Sequence, residues 1–70
     1  MVKIETQVTG RVIAVVVTVG QHVTAGATVA TVESMKMEIP VETECAGVVR
    51  KILIAVGDEV EEGQTLIEME

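Results

Sequence analysis

Residues Gly10–Gly26, GRVIAVVVTVGQHVTAG, are echoed by Gly47–Gly63, GVVRKILIAVGDEVEEG, and this pair of stretches decides the fold. Gly10, Gly20 and Gly26 recur as Gly47, Gly57 and Gly63, each 37 positions later. Between the glycines, Val12, Val19 and Val23 recur as Val49, Val56 and Val60. Outside them Glu5-Thr6 recurs as Glu42-Thr43, Thr28 as Thr65 and Glu33 as Glu70. Character is kept at Ile4/Val41, Val15/Ile52, Val17/Ile54, Val29/Leu66 and Val32/Met69. Residues 1–33 therefore align with 38–70 without a gap, and only Ser34-Met35-Lys36-Met37 has no counterpart.

Each copy reads as strands and turns. Val2–Val8 alternates strictly, as one half-buried strand does. Val12–Val19 and Val49–Val56 are mostly apolar and are expected to lie centrally. Gly20 and Gly57-Asp58 open turns, and Ala25-Gly26 and Glu62-Gly63 suit turns with glycine at positive φ. Thr28–Glu33 and Thr65–Glu70 close each copy with a strand, and no segment shows a helical period. With short strands around 21–24 and 58–61, the count is eight. Two β-halves that cannot each bury a face alone pack on one another. The expectation is a single all-β domain over residues 1–70, a flattened eight-stranded barrel or sandwich of two four-stranded antiparallel sheets with quasi-twofold symmetry. Ile4, Val15, Val17, Val32, Val41, Ile52, Ile54 and Met69 are its expected core.

Composition agrees and excludes several functions. Half the chain is apolar, valine is the commonest residue, and Phe, Trp and Tyr are absent. β-Branched side chains of this kind pack well on a pleated surface. Eleven acidic residues against five basic leave a net charge of −6, which argues against nucleic acid, bound through Lys and Arg on phosphates. The longest apolar run is too short to span a bilayer, and Met1–Val8 lacks the pattern of a signal peptide, so a cytoplasmic location is expected. One cysteine makes no internal disulfide, and one His with one Cys makes no metal site. Cys45 continues the phase of Val41 and Thr43 and is expected to be a buried small hydrophobe. His22 and Asp58 fall in nearly equivalent turns without a nucleophile beside them, and turn chemistry explains Asp58 better than catalysis does.

The unmatched tetrapeptide is where function concentrates. Everything the fold needs twice is present twice, whereas Ser34–Met37 occurs once. A connection between Thr28–Glu33 and Glu38–Thr43 this short is a tight hairpin. Its composition is odd for a turn, because Gly, Asn, Asp and Pro are the usual choices and here Lys36 stands between Met35 and Met37. Flexible thioethers on a projecting tip suit an adaptable recognition surface. Pro40, which lacks a backbone donor, suits a sheet edge beside the hairpin.

Glu33-Ser34-Met35-Lys36-Met37-Glu38 resembles the attachment signature of the biotinyl/lipoyl domains, and with the glycine frame the resemblance covers the whole chain. Among them it is most similar to small single-domain attachment proteins, which share Met37-Glu38-Ile39-Pro40. The resemblance implies a non-catalytic carrier biotinylated on Lys36 by a biotin protein ligase, with Met35 and Met37 as ligase-recognition residues and Glu33 and Glu38 flanking. It also implies shuttling of carboxybiotin between a biotin carboxylase and a carboxyltransferase, no membrane partner, and a monomer when isolated. A lipoyl acceptor, or one that takes both cofactors, remains open, although there the lysine usually follows Asp. A structural module that merely retains the fold is disfavoured by the intact Met35-Lys36-Met37. Residues 17–22 align with 54–59 without extra length, so the protruding thumb of some bacterial acetyl-CoA carboxylase carriers is missing. The Pro/Ala-rich N-terminal linker of those carriers is likewise not found, and both departures argue against that particular subunit.

Overall fold

Short alternating segments separated by glycine turns become eight strands. The computed structural model describes residues 2–70 and places β1 at Val2–Glu5, β2 at Gly10–Val15, β3 at His22–Val23 and β4 at Thr28–Ser34. The second half gives β5 at Met37–Glu42, β6 at Gly47–Ile52, β7 at Glu59–Val60 and β8 at Thr65–Met69. They form two antiparallel four-stranded sheets, here called sheet A (β1-β8-β6-β3) and sheet B (β5-β4-β2-β7). Moving 37 residues along the chain turns the order of one sheet into the order of the other. The all-β fold and its internal symmetry are as the repeat predicts. Each sheet, however, draws two strands from each half, so neither half is a sheet of its own.

The symmetry reaches single hydrogen bonds. Gly20 N–H donates to Val49 O at 2.7 Å and Gly57 N–H to Val12 O at 2.8 Å. Gly26 N–H donates to Thr43 O at 2.7 Å and Gly63 N–H to Thr6 O at 2.8 Å. All four glycines have φ between 86° and 98°, the left-handed region that glycine enters without a Cβ penalty. Asp58 Oδ2 accepts from Ala55 N–H at 2.9 Å, and Gln21 Oε1 takes the same role for Thr18 N–H at 3.1 Å. Asp58 thus does turn chemistry, as expected.

The core lies between the sheets. Ile4, Val17, Val32, Val41, Ile54 and Met69 are buried, together with Val12, Val29, Val49, Leu66 and Ile67, while Val15 and Ile52 are half-buried against them. Two expectations need correction. The apolar runs Val12–Val19 and Val49–Val56 are not unbroken strands: β2 ends at Val15 and β6 at Ile52. Beyond those points the chain crosses from one sheet to the other, since Val16 N–H bonds to Val29 O in sheet B and Gly20 N–H to Val49 O in sheet A. Val16 and Val19 are left exposed, and so are Leu53 and Val56.

Cys45 is exposed rather than buried. The cause is Thr43, whose buried Oγ1 donates to Cys45 O at 2.7 Å and accepts from Cys45 N–H at 3.2 Å. That local turn bends the chain away from the strand path and ends the alternation. Thr6 does the same with Val8 at 2.8 and 3.2 Å. The longer edge strands β1 and β5 are also guarded in parallel: Lys3 stands on one where Pro40 stands on the other. A charged side chain and a missing donor are alternative ways to blunt a sheet edge.

Candidate functional site

The site is built by β4 and β5. They pair without a shift from Ala30↔Val41 to Ser34↔Met37, beyond an irregularity after Thr28↔Glu42, which leaves a two-residue loop of Met35 and Lys36. Both residues have positive φ, 52° for Met35 and 66° for Lys36. Such a pair is the hallmark of the type I′ turn, whose twist matches that of the flanking strands. Among the described residues these are the only non-glycines with positive φ. A side chain in this region costs about 1–2 kcal/mol per residue, which is why Asn-Gly is the usual choice. The β4–β5 ladder, anchored by β2 on the far side of β4, holds the turn against that strain.

The strain yields presentation. Met35 is 92% exposed, Met37 64%, and Lys36 is exposed between them. Lys36 belongs to neither of the ion pairs found among the described residues, Arg11–Glu59 at 3.6 Å and Arg50–Glu70. The tip therefore offers one primary amine, backed by two flexible thioethers, on a backbone with little freedom.

Below the tip the electrostatics are unusual. Glu33 and Glu38 lie directly opposite each other across β4 and β5, and both are exposed. Like charges in that relation are destabilising. Arg11 is the cross-strand neighbour of Glu33 on the other side, yet its ion pair is with Glu59. The tetrapeptide and its flanking glutamates are thus one continuous surface. The facing of Glu33 and Glu38 was legible from their spacing about a two-residue turn, whereas the paired positive φ values had only odd turn composition as a signal.

The other singled-out residues lie elsewhere. His22 sits on β3 in sheet A, and the carbonyl of Asp58 accepts from Val12 N–H in sheet B. Lys3 and Lys51 are both cross-strand neighbours of Glu68, held in the ladders of sheet A. No cluster of three potential metal ligands occurs among the described residues.

The biotin/lipoyl family model, described as biotin-requiring enzyme, matches residues 2–69. A segment of the urea carboxylase of Kluyveromyces lactis superimposes with a TM-score of 0.92 and 38% identity over 97% of this chain. A single-chain, multi-domain long-chain acyl-CoA carboxylase superimposes with a TM-score of 0.87 and 28% identity over 93% of it. The chain spans only 6% of the length of either carboxylase. No curated protein matches the chain.

Proposed function

Because the chain belongs to the biotin/lipoyl family, we propose that it is a non-catalytic carrier whose Lys36 receives biotin from a biotin protein ligase and serves the biotin carboxylase and carboxyltransferase of a biotin-dependent carboxylase. The observation that carries this reading is the apex itself: an exposed lysine, held at positive φ between two exposed methionines, on a hairpin that the duplication does not require.

The residues fit an amide-linked cofactor. Lys36 supplies the nitrogen, which acts as a nucleophile only after losing its proton, so the ligase must assist deprotonation. The carrier's contribution is positional. A two-residue loop gives the backbone under Lys36 little room to move, and a pre-positioned reactant lowers the entropic cost of reaction. Met35 and Met37 supply apolar, adaptable contact on either side of the amine. Biotin, once joined, carries a carboxyl group between two enzyme centres. Both named structural relatives are carboxylases, which favours biotin over lipoate.

Selectivity among lysines is the test. Lys3, Lys36 and Lys51 are all exposed primary amines, but only Lys36 lies outside a strand. Incubation with ligase, ATP and biotin, followed by streptavidin capture and intact mass, should label the protein once. Lys36→Arg should keep the fold and abolish labelling, since Arg keeps the charge but offers no comparable nucleophile. Lys3→Arg and Lys51→Arg should label normally. Undiminished capture of Lys36→Arg would end this reading, and modification by lipoate in preference to biotin would replace it with the lipoyl one.

A further inference from the structure

The duplication supplies an internal control for what the fold demands of each outer surface. Corresponding irregularities in β2 and β6 turn two consecutive residues outward: Ile13-Ala14 on sheet B and Arg50-Lys51 on sheet A. Across the sheets Ala14 pairs with Thr31 and Thr31 with Pro40, while Lys51 pairs with Glu68 and Glu68 with Lys3. Equivalent positions thus hold Ile13, Ala14, Thr31 and Pro40 on one sheet and Arg50, Lys51, Glu68 and Lys3 on the other. Sheet A shows that the fold accepts charge at every one of these places. Folding therefore does not require their neutrality on sheet B.

Sheet B is also the sheet that carries Lys36. Its neutral band is separated from the hairpin by the facing pair Glu33 and Glu38 and is edged further by Glu42 and Glu59, with Arg11 the single outward cation on the strands of that face. These strand charges sum to −3, to which Lys36 at the tip adds one positive charge. On sheet A, Glu5, Glu68 and Glu70 are balanced by Lys3, Arg50 and Lys51. An uncharged centre inside a mainly acidic rim, with only Glu59 paired to Arg11, is the pattern of a docking surface, whose complement is a flat uncharged patch edged by Lys and Arg.

We propose that the outer face of sheet B is the surface on which the biotin protein ligase seats the carrier, guided by lysines and arginines of the enzyme around the carboxylate rim, while sheet A stays in solvent. The proposal rests on the carrier reading and adds the side from which the enzyme approaches. A partner that closes over the tip from sheet B meets Lys36, then the Glu33 and Glu38 carboxylates, then the neutral band.

The test exchanges the two faces. Ile13→Arg with Ala14→Lys gives sheet B the residues that sheet A carries at the same fold positions, so folding is expected to be kept. Labelling of Lys36 by ligase, ATP and biotin should lose about tenfold or more in kcat/KM, with the melting temperature unchanged. The converse pair, Arg50→Ile with Lys51→Ala, should label within about twofold of wild type. Ala14→Lys alone serves as the milder change if the double variant unfolds. Labelling kinetics insensitive to the sheet B change, or equally damaged from sheet A, would overturn the proposal. So would a concentration-dependent dimer of the wild-type chain that the sheet B variant dissociates, because the face would then be a self-contact. Wild-type protein that takes no biotin at Lys36 is a separate outcome: it sinks the carrier reading itself.

Discussion

Two kinds of turn hold the left-handed backbone region in this molecule. Gly20, Gly26, Gly57 and Gly63 hold it in matching pairs, and Met35 and Lys36 hold it once, at the hairpin. At the four glycines an added Cβ would meet nothing within 4 Å, so any cost of a side chain there is conformational and not steric. Where a turn serves only the fold, both copies use the residue that adopts it most cheaply. Where it presents Lys36, side chains are kept in spite of the strain. Backbone strain concentrated at one unrepeated position is a mark of function.

The largest test of this contrast converts the hairpin into an ordinary turn. Met35→Asn with Lys36→Gly should abolish biotin labelling and, in urea unfolding, raise stability by about 1–3 kcal/mol. A loss of stability instead would mean that the Met35 and Lys36 side chains themselves hold the turn. The reverse experiment strains a turn of the other kind. Gly20→Ala or Gly57→Ala should each cost about 1–2 kcal/mol and leave labelling of Lys36 unchanged. An altered labelling rate there would show that the fold turns and the tip are coupled.

The same half-to-half comparison sharpens smaller effects. Asp58→Ala removes a charged acceptor from Ala55 N–H and should cost about 1 kcal/mol. Gln21→Ala removes a neutral acceptor from the equivalent Thr18 N–H, at a longer 3.1 Å, and should cost less in the same thermal-melting measurement. Glu33→Gln or Glu38→Gln relieves the like-charge pair under the tip. Either should gain a few tenths of a kcal/mol at low ionic strength, and the gain should fade as salt is added.

Much of this was legible in the residues alone. The offset between Gly10 and Gly47 forces two equivalent halves, and alternation assigns Ile4, Val32, Val41 and Met69 to one interior. The lone Met35-Lys36-Met37 stands out because nothing in the repeat calls for it. Tertiary structure decided the rest. A period of two says which side of a strand a residue faces but not which strand lies beside it, so the sharing of each sheet between the two halves was not in the pattern. Nor was the crossing beyond Val16 and Leu53, where a mostly apolar run leaves one sheet and is next held by the other at Gly20 and Gly57. Cys45 kept the strand phase in sequence and lost it in space, because the Thr43 hydroxyl turned the backbone one residue earlier. The neutral face of sheet B became visible only once pairing had set Ile13, Ala14, Thr31 and Pro40 side by side, since residues this far apart in sequence become neighbours only through the hydrogen-bonded register of β2, β4 and β5.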